Sequence, residues 1–105
     1  MPAPRILILG SNGGLGRALV RKLAPKHEVT AWKRADLDFE QPEAIAGKLA
    51  RCEFDVLLNP AGMTSPDVCE TQPETAHLAN VIGPQVLAQC CHRHGARLIH
   101  FSTDH

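Results

Sequence analysis

Residues 10–16, "GSNGGLG", follow the apolar run "RILIL" and open the amphipathic stretch "GLGRALVRKLAP"; no other segment limits the fold of this chain so sharply. The run before the glycines lacks polar alternation, as a central strand covered on both faces requires. After them Leu15, Leu19 and Leu23 recur every four residues, with Arg17, Arg21 and Lys22 between, until Pro25 ends the pattern. Strand, glycine turn and helix in this order predict the first βα unit of a parallel sheet.

Gly10, Gly13 and Gly16 form a GxxGxxG array. Such a turn uses glycine for a positive φ, for close approach of backbone to a pyrophosphate, and for tight packing of helix on strand. Amides at the helix start then hold the phosphates. A tight turn with no ligand is the plainer explanation of spaced glycines. Position between a buried strand and an amphipathic helix favours a dinucleotide. Asn12 and Leu15, inside the loop, join the three glycines as candidate cofactor-binding residues.

The βα alternation continues. "HEVTAW" predicts a second strand and "DLDF" a very short third. "QPEAIAGKLARC" predicts a helix with Pro42 at its first position and Ile45 stacked on Leu49. "FDVLLN" is the next strand, and the loop "PAGMTSPDVCETQ" leads to a long helix from about Pro73 to His94, closed by Gly95. "RLIHFS" is the last strand. The expected fold is α/β: a Rossmann-like, doubly wound parallel sheet in three αβα layers, incomplete, with four to five strands and three helices in one domain over residues 1–105.

The second strand ends in Trp32-Lys33-Arg34, where an NAD-preferring protein usually carries an acid for the ribose 2′-hydroxyl. Lys33 and Arg34 suit a 2′-phosphate, and such a pair contributes about 1–3 kcal/mol, a preference of roughly tenfold or more for NADPH over NADH. Asp36 lies close enough to be the missing acid, so NADP is the expected cofactor with NAD as the alternative.

Charge excludes other partners. Eleven lysines and arginines balance eleven aspartates and glutamates, and no basic stripe with interleaved aromatics points to nucleic acid or an anionic membrane. The N-terminal apolar run is too short for a signal peptide or a membrane span, so a cytoplasmic location is expected. Cys52, Cys69, Cys90 and Cys91 show neither a CxxC pair nor a disulfide framework. Cys90 and His94 stand one helical turn apart, but a closed zinc site needs four ligands, so a solvated helix end is expected and no metal. The six histidines form no ligand array and read as surface residues.

Five stretches in order, "ILGSNGGLGRALV", "DLDFEQPEAI", "FDVLLNPAGMTSPDVCE", "PETAHLANVIGPQVLA" and "GARLIHFSTD", make the chain similar to the N-terminal half of the extended short-chain dehydrogenase/reductases, most closely those of the dTDP-4-dehydrorhamnose reductase type. The resemblance implies that Asp38 and Phe39 flank the adenine. It also implies that Asn59, Ala61, Gly62 and Thr64 line the trough of the nicotinamide-side ribose, with Pro60 standing where the family usually has alanine. Asn80 resembles the asparagine kept in the family's fourth helix. Pro84, four residues later, has no N–H for the Asn80 carbonyl, which predicts a kink and a carbonyl free to hold a relay water, or a simple proline kink relieved by Gly83.

By the same resemblance Ser102 and Thr103 face the nicotinamide, and the Thr103 hydroxyl donates to the sugar carbonyl that gains charge on hydride addition. Thr103 and Asn80 are thus the candidate catalytic residues. The family's proton donor is a tyrosine with a lysine four residues on. The chain has no tyrosine, and His105 stands where one usually follows "STD". The expectation is therefore the cofactor half of a longer sugar-nucleotide reductase, inactive alone, whose substrate half would bring the tyrosine, the lysine and the sugar pocket. Two alternatives stay open: a non-catalytic nucleotide-binding or regulatory subunit that forms a homo-oligomer or holds a partner through its open sheet edge, and a soluble remnant without activity.

Overall fold

Four short, mostly apolar segments become the parallel strands β1 (Arg5–Leu9), β2 (Glu28–Trp32), β3 (Val56–Asn59) and β4 (Arg97–His100), in the order β2-β1-β3-β4. The computed structural model describes residues 3–11, 13–33, 36–37, 41–60 and 72–101, and of Thr75, Ala76, Ala79 and Asn80 the backbone alone. Central β1 and β3 are almost wholly buried, which is why their sequences are continuous apolar runs. Edge strand β2 is mostly exposed, with only Val29 and Trp32 half-buried.

The helices divide between the two faces. From α1 (Gly14–Leu23), Leu19, Val20 and Leu23 pack against Ile6, Ile8 and Leu58. On the other face α2 (Pro42–Ala50) and α4 (Gly83–His94) bring Ile45, Leu49, Leu87, Cys90 and Cys91 onto Leu7, Leu9 and Leu57. Burying one such leucine stabilises the fold by about 1.5–3 kcal/mol, so this second face holds the larger core. The α1 face runs out at β4, where Ile99 is 41% exposed.

Pro42 begins α2, and Gly95 ends α4 in the left-handed conformation at φ 75°, both as the sequence predicts. Strand β2 begins one residue later than "HEVTAW" suggests. The expected third strand does not form at its first two residues. The Asp36 carboxylate accepts from the Lys33 N–H at 2.8 Å, and the Asp36 N–H donates to the Lys33 carbonyl at 2.9 Å, so the chain turns there and drops Leu37 into the core. Asp38 and Phe39 lie outside the described residues.

The long helix is not α-helical throughout. A short α3 (Pro73–His77) passes into a π-helical turn over Leu78–Ile82 before α4 resumes. Gly83 donates to the Leu78 carbonyl, five residues back, immediately before Pro84. The missing proline N–H is thus absorbed by widening one turn, and Asn80 sits in the widened segment.

At the Cys90–His94 helix end His92, Arg93 and His94 are exposed, as the sequence suggests, and only the cysteine departs from that reading. Cys90 is buried, with the Arg93 guanidinium 3.9 Å from its sulfur, and His94 stacks on Phe54 with ring centroids 4.4 Å apart. Burial pushes the Cys91 thiol up to about 11, which keeps it protonated and unreactive at neutral pH. No group of three or more metal-ligating side chains occurs among the described residues. His27 is half-buried rather than on the surface.

Candidate dinucleotide site

The carboxyl ends of β1 and β3 meet where the strand order reverses direction, the position at which open α/β sheets bind ligands. Gly10 leaves β1 with φ 60°, a conformation that suits glycine. Its carbonyl accepts the Gly13 N–H at 3.0 Å, and the Ser11 N–H donates to the Trp32 carbonyl of β2 at 3.0 Å, so the turn is pinned on both sides.

Gly16 explains the third glycine. A Cβ there would lie 2.8 Å from the Gly10 carbonyl carbon and 2.9 Å from the Ser11 Cα, and closer still to the Gly10 oxygen. Helix α1 is therefore seated directly on the turn. Gly13 differs: it has an ordinary extended backbone, and a Cβ would stand 3.4 Å from the Gly10 oxygen. Nothing in the described fold requires glycine there.

Gly13 is the N-cap of α1, has no side chain to cap it, and no acid stands in the first turn. The positive end of the helix is left uncompensated, as an anion site needs. Leu15, 45% exposed in that first turn, is accessible to a ligand. Lys33, exposed at the end of β2, follows directly. The Asp36 carboxylate, the rival acid for a ribose hydroxyl, is engaged with the Lys33 amide.

Asn59, the last residue of β3, is fully buried, and its Nδ2 lies 3.0 Å from His100 Nδ1 on β4. Gly10, Gly13, Leu15, Gly16, Lys33 and Asn59 thus gather at one end of the sheet. Of Asn80 only the backbone is described, and Asn12, Arg34, Asp38, Phe39, Ala61, Gly62, Thr64, Ser102 and Thr103 lie outside the described residues. The His100 contact escaped sequence reading, although the register that pairs Asn59 with His100 follows from aligning the two strands. Among the described residues no helix is long and apolar enough to cross a membrane.

Parallel order, a glycine turn at the switch point and helices on both faces define a Rossmann-like nucleotide-binding fold. Residues 4–105 match the family described as RmlD substrate binding domain, and the chain belongs to that family. It is 39% identical over 104 residues to a dTDP-4-dehydrorhamnose reductase of Mycolicibacterium smegmatis, covering 98% of this chain and 31% of that protein. The crystal structure of a dTDP-4-dehydrorhamnose reductase from Clostridium acetobutylicum superposes with a TM-score of 0.83 at 36% identity, over 90% of this chain and 34% of the other. That of the Bacillus anthracis reductase, solved in complex with NADP, gives a TM-score of 0.84 at 24% identity, over 93% and 35%. The chain spans about a third of the length of these relatives.

Proposed function

We propose that residues 1–105 form the NADP(H)-binding portion of a sugar-nucleotide reductase of the dTDP-4-dehydrorhamnose reductase type. The observation that carries this reading is the contrast within the glycine turn: Gly16 is demanded by packing, whereas Gly13 is demanded by nothing in the described fold. Kept beside an uncapped helix start, Gly13 leaves room for a diphosphate to reach the α1 amides. Lys33, with Arg34, offers cations to a 2′-phosphate, and the engagement of Asp36 in its own turn favours NADPH over NADH. The relatives are reductases by name, and one was solved with NADP.

In that reaction the cofactor supplies hydride to a 4-keto sugar nucleotide. This chain's part is to hold and orient the cofactor, and to present the Thr103 hydroxyl as donor to the carbonyl oxygen on which charge develops. Asn80, in the widened helical turn, is the candidate for ordering a relay water. With no tyrosine in the chain, the proton donor of the family must come from elsewhere. Cofactor binding is therefore the decisive measurement. The single tryptophan, Trp32, has its carbonyl bonded to the glycine turn and serves as the reporter. Titration should give saturable energy transfer from Trp32 to NADPH, with NADH weaker by about tenfold; a flat response on folded protein overturns the proposal.

One observation favours a second reading, association through the sheet edge: β4 is an edge strand with Ile99 exposed beside it. Light scattering at high concentration decides it, since a strict monomer is incompatible with edge pairing.

A further inference from the structure

Asn59 and His100 are register partners on β3 and β4, and the contact between them is directional. A carboxamide nitrogen only donates, so at 3.0 Å from Asn59 Nδ2 the His100 Nδ1 must be the acceptor, and the ring proton sits on Nε2. The carboxamide oxygen then faces away from β4. Asn59 Oδ1 is shut off from water and has no hydrogen-bond partner among the described residues. Buried acceptors are rarely left so, because the lost hydration is not returned unless a donor arrives.

The location suggests where that donor comes from. Ile8 pairs with Leu58, so Asn59 stands one step further on, beside Leu9 and at the mouth of the turn that Gly10 begins. The unsatisfied oxygen thus lies at the switch point, one residue from the candidate site. Resting on the cofactor reading above, we propose that His100 is a positioning residue: its Nδ1 fixes the Asn59 carboxamide so that Oδ1 accepts a hydrogen bond from a hydroxyl or amide donor on the nicotinamide-side half of a bound dinucleotide. Without an acceptor at the His100 position, the amide is free to turn over. It then presents N–H groups to a ligand that itself donates.

The test compares NADPH with adenosine 2′,5′-bisphosphate, which has only the adenine half, on the full chain and two variants. His100→Leu should weaken NADPH binding by about tenfold, the size of one lost hydrogen bond, and leave the bisphosphate unaffected. His100→Asn, which places an oxygen where Nδ1 stands, should recover NADPH affinity to within about threefold. Unchanged NADPH binding in His100→Leu, equal loss of both ligands, or failure of His100→Asn to recover overturns the inference while leaving the cofactor reading intact. Absence of binding to either ligand by the unmodified chain overturns both. Independently of how the variants fold, ¹⁵N shifts of the His100 ring in the unmodified chain should show the Nε2–H tautomer; an Nδ1–H ring overturns the assignment of donor and acceptor.

Discussion

The two ends of the sheet use their polar groups in opposite ways. At the amino end they are directed at one another. Arg5 donates to Glu53 at 2.7 Å and grips both Asp55 oxygens, at 3.2 and 3.3 Å, while its own N–H donates to Asp55 at 2.8 Å and the Asp55 N–H returns a bond to the Arg5 carbonyl. At the carboxyl end the polar groups point elsewhere: the N-cap of α1 has no side chain, and Asn59 keeps an unsatisfied oxygen. His27 Nδ1, near the amino end, is likewise a buried atom without a partner among the described residues, so the division between the two ends has one exception. One end holds strands together; the other is shaped for something the chain does not itself provide.

The most severe challenge to this division is Gly16, which sits at the carboxyl end yet serves packing. Gly16→Ala forces the methyl into the Gly10 carbonyl and the Ser11 backbone, neither of which can swing aside as a side chain end would. We expect a loss of stability on the order of 3 kcal/mol, read as a lower urea midpoint, together with loss of NADPH binding. A variant as stable as the parent would mean that α1 is not seated on the turn.

How far these features were legible in the sequence depends on the range of the interaction that sets them. The signals for β1, α1, the start of α2 and the end of α4 are local: an unbroken apolar run, a leucine every four residues, Pro42 and Gly95. The position of the glycine turn follows from the same patterns. The third strand misled because "DLDF" alternates like a strand, while the decisive bond, from the Lys33 amide to the Asp36 carboxylate, is a turn contact that alternation does not reveal. Pro84 announced a disturbed helix, but a kink and a widened turn both accommodate its missing N–H, and the sequence does not choose between them. Phe54 on His94 and Asn59 with His100 each join residues about forty positions apart. Neither pair has a local signature: His94 and His100 are exposed, as the sequence suggests, and nothing in it tells that each ring also meets a partner on another element.

Gly13→Ala sharpens the comparison from the other side. The backbone of Gly13 is one that alanine adopts, and its methyl would make only an ordinary contact with the Gly10 oxygen. Stability should fall by about 0.5–1 kcal/mol, the cost of alanine at an N-cap. NADPH binding should fall far more, because the methyl occupies the approach to the helix amides. A variant that loses stability as Gly16→Ala does, or that binds NADPH normally, would merge the two glycines into one structural role.

The smallest effect is expected at the amino end. The Arg5 guanidinium, through its side-chain bonds and then its backbone N–H, holds the Asp55 carboxyl below the usual carboxylate range. A depressed carboxylate contributes stability that is fully present above its unfolded value, roughly pH 3.9, and is lost as the pH falls through the lower folded value. Asp55→Asn should therefore lower the urea midpoint slightly at neutral pH, and the gap should begin to narrow below about pH 4, close below the lower folded value, and shrink in high salt, since the pair is exposed. NADPH binding should be untouched. If the gap persists in acid, the neutral hydrogen bond from the Arg5 amide, and not the charge, joins β1 to the start of β3; if NADPH binding weakens, the two ends of the sheet are not independent.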